Sequence, residues 1–380
     1  MIKLLTIIGA RPQIIKAAAL SRAIKQHFSE RISEKILHTG QHYDDNMSDV
    51  FFRELGIPLP NFNLQIGSDS HGVQTANMIS GIENVLMSEK FDAVVVYGDT
   101  NSTLAGAIAA AKLHVPIVHI EAGLRSYNMT MPEEQNRIVC DHLSTFLFSP
   151  TDTGVKNLQH EGLAQSKAKF STGKQRMIFN SGDIMYDNSM YFASIADDKT
   201  DIIDRLHLRD SCYILATIHR DNNTDNPERL SSIFRALVQI AEEHRIKIVL
   251  PLHPRTKKLL PNNLEQDLFN TINNHHLFEI IPPASFFEII ALEKNAQLIM
   301  TDSGGVQKEA YFFKKPCVIL RSETEWVEIV EQQAGIIADA DTRKIVEAYK
   351  TLQTTQSGFP PVFGDAKAAE FILSTLLKHL

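Results

Sequence analysis

The short hydrophobic runs of this chain are apolar at nearly every position rather than at alternate ones. KLLTIIG, EKILHTG, DAVVVYG, PIVHIEA and TFLFSP recur through the first half; RMIFNSG, CYILATIH, IKIVLPLH, LFEIIPP, AQLIMTDSG and PCVILR come in the second. A strand with one wet face alternates, whereas a strand of a parallel sheet covered on both faces does not. The longer segments between these runs carry helical spacing, as in STLAGAIAAAKL, which sets Leu104, Ala107, Ile108 and Ala111 on one side. Such alternation predicts α/β architecture with doubly wound parallel sheets. At 380 residues, 43% of them hydrophobic, the chain exceeds one core and can fill two. We therefore expect two such domains facing across a cleft, residues 1–170 and 171–360, with the polar stretch 166–175 as the crossing. The amphipathic end, residues 361–380, is expected to form a helix that packs back on the N-terminal domain.

Charge and cysteines narrow the function. A formal net charge of −7 excludes a broad nucleic-acid or anionic-membrane surface, which needs clustered Lys and Arg. Cys140, Cys212 and Cys317 are odd in number and form no CxxC, so they read as buried thiols in a reducing compartment rather than as disulfides or zinc ligands. Gly9, Arg11 and Pro12 break the first apolar run before a signal or membrane segment can form. The expectation is a cytoplasmic protein whose first run is a strand.

In open α/β sheets ligands bind beyond the carboxyl ends of the strands. The residues there are polar: Arg11, Gly98-Asp99-Thr100, Glu121 to Arg125, His219-Arg220, His253, and Asp302-Ser303-Gly304-Gly305. With Lys16, Arg137, Arg255 and Arg321, a net-acidic chain gathers cations where an anion would sit. Gly304 and Gly305 read either as a tight strand-to-helix turn or as a phosphate cradle over unpaired helix N–H groups. Taken singly, Asp99 reads as a helix N-cap and Glu133 as a first-turn acid. Gathered with Glu121, carboxylates of this kind raise one another's pKa and separate into acid and base. No carboxylate pair has metal-ligand spacing with a histidine, and no Walker lysine, nucleophile elbow or GxGxxG comes after a strand. Neither a metal nor a nicotinamide cofactor is expected.

The motifs GARPQIIKAA, TGQHYDDNM, VYGDTNSTLAGAIAA, HIEAGLRS, MPEEQNR, IHRDNNTD, LPLHPRT and TDSGGVQKEA span nearly the whole chain. Together they resemble the non-hydrolysing UDP-N-acetylglucosamine 2-epimerase family. The resemblance implies a glycosyltransferase-B-like pair of Rossmann-type domains, a UDP-sugar substrate, no cofactor and a homodimer. It implies catalytic roles for Asp99, Glu121, Glu133 and His219. It also implies substrate binding by Arg11, Lys16, Arg220, His253, Phe286, Ser303, Gly304, Gly305, Glu309 and Arg321, with Ser303 to Gly305 on the phosphates, Glu309 on the ribose and Phe286 near the uracil.

The implied chemistry suits these residues. The C2 proton of the sugar has no neighbouring carbonyl to acidify it, so the family first expels UDP by anti elimination to a 2-acetamidoglucal and then re-adds it with a proton on the other face. That needs carboxylates at C2 and a firm hold on the diphosphate. GARPQ replaces the more familiar Gly-Thr-Arg-Pro-Glu, and Trp326 stands where many members have Arg. Both features, with YNMTMPEE, resemble the branch acting on UDP-2,3-diacetamido-2,3-dideoxy-glucuronate. SDSHGVQTAN lacks a basic residue expected of substrate-activated members. The expected function is 2-epimerisation of UDP-GlcNAc to UDP-ManNAc for surface polysaccharide. The alternatives are the uronate substrate, a glycosyltransferase of the same fold, and a non-catalytic UDP-sugar sensor.

Overall fold

The computed structural model describes residues 1–41, 56–164, 175–252, 254–355 and 358–380. The motif residues from position 42 to 47, most of the stretch 166–175, and His253 lie outside them.

The chain divides into two units, Met1–Asn188 with Pro361–Leu380, and Ser189–Pro360. The first contains a seven-stranded sheet of β1 (Ile2–Ile8), β2 (Ile32–His38), β3 (Phe62–Asn63), β4 (Ala93–Tyr97), β5 (Ile117–Ile120), β6 (Phe146–Ser149) and β7 (Met177–Asn180). Its order is β3-β2-β1-β4-β5-β6-β7, and the pairings are parallel. The second contains β8 (Tyr213–Thr217), β9 (Lys247–Pro251), β10 (Phe278–Ile281), β11 (Leu298–Thr301), β12 (Cys317–Ile319) and β13 (Gly335–Ile337), in the order β10-β9-β8-β11-β12-β13, again parallel. The continuous apolar runs are explained: β4 is buried at all five positions and β1 at its last five.

The division falls later than residue 170 because RMIFN is the last strand of the first sheet, with Phe146 facing Met177 and Ser149 facing Asn180. Residues 361–380 belong to the first unit. Their helix, Ala368–His379, is started by Asp187, which accepts from the N–H groups of Ala368 and Ala369 at 3.0 and 2.8 Å. Cys212 is exposed, contrary to the reading of three buried thiols. Among the described residues, no helix is long and apolar enough to cross a membrane, and no group of three His, Cys, Asp or Glu side chains is placed to hold a metal ion.

The helix Asn101–Lys112 packs closer than its sequence periodicity implies. Leu104, Ile108 and Ala111 are only half-buried, and the inner face is Ala105, Gly106, Ala109 and Ala110. A Cβ on Gly106 would come within 2.8 Å of Ile7 Cδ1 and 3.0 Å of Val96 Cγ1, so the missing side chain is what lets the helix settle on β1 and β4.

Strand order reverses between β1 and β4 in one sheet and between β8 and β11 in the other. These switch points are where an open α/β sheet leaves a crevice. The candidate residues flank both.

Candidate active site

Gln13 closes the first switch point. Its Oε1 accepts from Gly9 N and Ala10 N at 2.9 and 3.1 Å, while Nε2 donates to the Tyr97 carbonyl and to Thr103 Oγ1 at 3.0 and 2.9 Å. One buried amide thus ties the end of β1 to the end of β4. A glutamate could accept there but could not donate to a carbonyl.

After β4, Gly98 turns the chain with φ +63°, and Asp99 comes next. Asp99 is not the N-cap of the next helix: Thr100 is, its hydroxyl accepting from Thr103 N. That leaves the Asp99 carboxylate for Arg137, whose guanidinium donates to Asp99 Oδ2 and, at 2.5 Å, to Glu134 Oε2. After β5, Glu121 holds φ +71°, a conformation that costs a side-chain-bearing residue about 1–2 kcal/mol. Its Oε2 lies 2.7 Å from Lys16 Nζ, on the helix Arg11–Ala23. A Cβ at Gly98 would sit 3.3 Å from that ammonium and 3.6 Å from Glu121 Oε1, so Gly98 roofs the pair.

These charges set the Asp99 carboxyl. Burial raises its pKa, Arg137 and Lys16 draw it down, Glu121 raises it again, and the net shift is upward. Glu134 goes the other way. Against the upward effect of its burial, the N–H groups of Ser126 and Tyr127, at 3.0 and 2.9 Å, and the Arg137 charge hold it below the usual carboxylate range. Glu134 is buried while its neighbour Glu133 is exposed on the same turn. The side chain that joins Arg137 in this cluster is therefore Glu134. Arg11, one turn before Lys16, is exposed.

Behind the two turns runs a network that is buried except at its outer member, Glu161. His119 on β5 sets Nδ1 2.8 Å from Asp141 Oδ1 and Nε2 2.8 Å from the Gly98 carbonyl. Asp141 Oδ2 also accepts from Arg125 at 2.8 Å and from Gly123 N at 3.2 Å, and Arg125 grips Glu161 with two bonds of 2.6 and 2.7 Å.

In the second unit, Asp302 comes directly after β11 and is fully buried. It accepts from the backbone N–H groups of His219 at 3.1 Å and Arg220 at 3.0 Å, and from Asn223 Nδ2 at 3.1 Å; its Oδ1 lies 3.2 Å from His219 Nδ1. The carboxylate lies on the Nδ1 side of a half-exposed ring, so Nε2 is the ring nitrogen away from it.

Ser303 caps the helix Gly304–Phe312, accepting from Val306 N. Neither glycine after it has a left-handed backbone, and a Cβ on Gly304 or Gly305 would meet nothing nearer than 3.5 Å. The turn itself does not require glycine at either position. What the pair provides is bare backbone at a helix start, where N–H groups lack partners. Trp326 Nε1, Glu325 Oε2 and Arg321 Nη1 lie 3.5, 3.7 and 3.9 Å from the Cβ position of Gly304. Arg321 and Glu325 clasp each other through two bonds of 2.9 Å, and the Lys308 ammonium sits 4.1 Å from the Trp326 ring centre.

Glu309, half-buried on the same helix, has a fully buried acid beside it, Glu293 on the helix Phe286–Asn295. Burial first, and then the Glu309 charge, push Glu293 well above the usual carboxylate range. Phe286 is buried, its ring edge-on to Phe192 at 4.9 Å and to Phe287 at 5.6 Å.

Asp302 is named from sequence in the glycine stretch without a role, and Glu134, Asp141 and His119 are not singled out there; Glu134 differs from Glu133 only by helical phase.

Open parallel sheets whose switch points carry a cluster of paired carboxylates and cations in one unit and a bare helix start in the other have the architecture of nucleotide-binding α/β proteins. The chain belongs to the UDP-N-acetylglucosamine 2-epimerase family, whose model matches residues 23–377. It is 46% identical over 375 residues to a UDP-N-acetylglucosamine 2-epimerase homolog of Methanococcus maripaludis, covering 98% of this chain and 99% of that one. It is also 46% identical over 378 residues to the UDP-2,3-diacetamido-2,3-dideoxy-D-glucuronate 2-epimerase of Pseudomonas aeruginosa, covering 99% of each. The crystal structure of Methanocaldococcus jannaschii UDP-GlcNAc 2-epimerase in complex with UDP-GlcNAc and UDP superposes with a TM-score of 0.83 at 40% identity, covering 99% of this chain and all of that one.

Proposed function

We propose that this chain is an isomerase, a non-hydrolysing UDP-sugar 2-epimerase that interconverts UDP-GlcNAc and UDP-ManNAc. The observation that carries the reading is the pairing of Asp99 and Glu121 at one switch point, each matched to its own cation, Arg137 and Lys16. One carboxylate takes the C2 proton while UDP departs; the other returns a proton to the opposite face of the glycal as the UDP oxygen bonds again to C1. Burial raises the Asp99 pKa against the pull of Arg137 and Lys16, the direction that suits a proton donor. Glu133, solvent-open on the turn that anchors Arg137, is the third acid of this reading.

The second unit serves the leaving group. Gly304 and Gly305 give the phosphates backbone N–H groups, and Ser303, Arg321 and Arg220 add polar contacts. The outward Nε2 of His219 meets the oxygen that breaks from C1. Glu309 accepts from the ribose hydroxyls. Arg11 and Lys16 supply positive charge near the reacting sugar, and His253 and Phe286 complete the nucleotide contacts. The enzyme works in the cytoplasm as a homodimer and feeds surface-polysaccharide synthesis.

A second reading is the same reaction on UDP-2,3-diacetamido-2,3-dideoxy-glucuronate. Trp326 beside Gly304, where the common family pattern has Arg, and the Pseudomonas aeruginosa relative favour it. Incubating the protein with each sugar nucleotide in deuterated water and monitoring C2 by proton NMR separates the two. The expected result is the C2 epimer carrying solvent deuterium; retention of C2 protium in an epimerised product would overturn the elimination mechanism.

A further inference from the structure

The two turns that carry Asp99 and Glu121 are joined from behind by a side-chain pair. His119 Nε2 lies 2.8 Å from the carbonyl of Gly98, the residue before Asp99. A carbonyl oxygen only accepts, so that nitrogen bears a hydrogen. Nδ1 lies 2.8 Å from Asp141 Oδ1, and a proton must sit between them, since two lone pairs would repel at that distance. The other oxygen of the same carboxylate accepts from Gly123 N, two residues beyond Glu121. One imidazole and one carboxylate therefore hold the chain just before the first candidate acid and just after the second.

The segment they hold includes one strained residue: Glu121 carries its side chain at φ +71°, while Gly98 and Gly123 turn the chain at φ +63° and +81° without steric cost. Both side chains are fully buried, so neither touches substrate. Arg125 supplies the third contact, binding Asp141 and Glu161 at once and keeping the carboxylate oriented.

We propose that His119, through its bond to the Gly98 carbonyl, is a positioning residue for proton transfer, tying the Asp99 turn to the end of β5 so that the separation of Asp99 and Glu121 suits the two faces of C2. The proposal rests on the reading of Asp99 and Glu121 as the proton-transfer groups. A displacement of about 1 Å at such a pair costs on the order of a hundredfold in turnover without a matching loss of binding.

The test uses three variants of the full chain. In His119→Gln the amide nitrogen stands at the place of Nε2 and keeps the bond to Gly98. In His119→Asn it stands at the place of Nδ1 and keeps only Asp141; His119→Leu keeps neither. For each, kcat, KM, UDP affinity, melting temperature and the ratio of released glycal to epimer are measured beside Asp99→Asn and Glu121→Gln. The expected result is a loss of kcat on the order of a hundredfold in His119→Asn and His119→Leu, KM and UDP affinity within about threefold of the parent, more escaped glycal per turnover, and recovery of most turnover in His119→Gln. Turnover within about threefold of the parent in His119→Asn or His119→Leu would overturn the positioning role, as would losses that track melting temperature alone with His119→Gln no better than the others. If Asp99→Asn and Glu121→Gln themselves remain active, it is the underlying reading that fails. If they are dead while the His119 variants are active, only the positioning role does.

Discussion

Lys16 and Glu121 meet at 2.7 Å with each side chain about a tenth exposed, and Glu121 adopts a left-handed backbone to make the contact. An ion pair so little screened is costly to break one partner at a time, because the survivor is left charged in a poor solvent. Lys16→Met is expected to lower kcat by about ten- to a hundredfold. It also removes one of the two cations that draw Asp99 down. The Asp99 pKa therefore rises further, and the alkaline limb of the kcat/KM profile, where a proton donor ionises, moves to higher pH. A pH–rate comparison of the two proteins checks this, and a limb that stays in place would remove Asp99 from the titrating step.

The carboxylates are tested by isosteres. Asp99→Asn, Glu121→Gln and Glu133→Gln keep shape and remove basicity, and at least two of the three are expected to lose on the order of a hundredfold in kcat. UDP-sugar binding falls less, since each change removes a negative charge. Titration calorimetry beside turnover reads both effects.

Gly305→Val probes the bare helix start. A Cβ there meets nothing nearer than 3.8 Å and the backbone is not left-handed, so the melting temperature is expected to hold. UDP affinity is expected to drop at least about tenfold as the side chain covers the N–H groups. Unchanged affinity in the folded variant would show that phosphate does not bind at this helix.

Glu293 gives a signed pH dependence. Its folded pKa lies above the ordinary 4.5, so above about that pH the unfolded chain releases a proton that the native state keeps. Stability then falls with rising pH by about 1.4 kcal/mol per unit for this one group, until the folded carboxyl also ionises. Glu293→Gln removes that contribution. Urea titrations from about pH 5 to 8 are expected to show a flatter profile for the variant and a gain that grows with pH.

The strand runs and the switch-point residues were legible in the sequence because burial on both faces leaves no alternation to misread. Asp99, Glu121 and His219 could be found by inspecting the residues at the carboxyl end of each strand. The first unit's true end could not, since RMIFN reads as a strand whichever sheet receives it, and only its pairing with FLFS decides. Glu133 and Glu134 are adjacent in MPEEQNR, and helical phase alone sends one outward and the other to Arg137. His119 and Asp141, 22 positions apart, carry no spacing signal, because their contact is made by sheet and helix packing rather than by a local turn.

The four bonds of Gln13 bear on how this loop can be exchanged for one with Glu at the same place. Replacing the amide with a carboxylate sets an oxygen lone pair against the Tyr97 carbonyl, so the two loops cannot be traded by grafting GARPQ alone. A chimera that transplants the first loop must bring the neighbours of Tyr97 and Thr103 with it. Exchange at this position is thus a coupled change, and a single Gln13→Glu step holds the β1 and β4 ends less firmly.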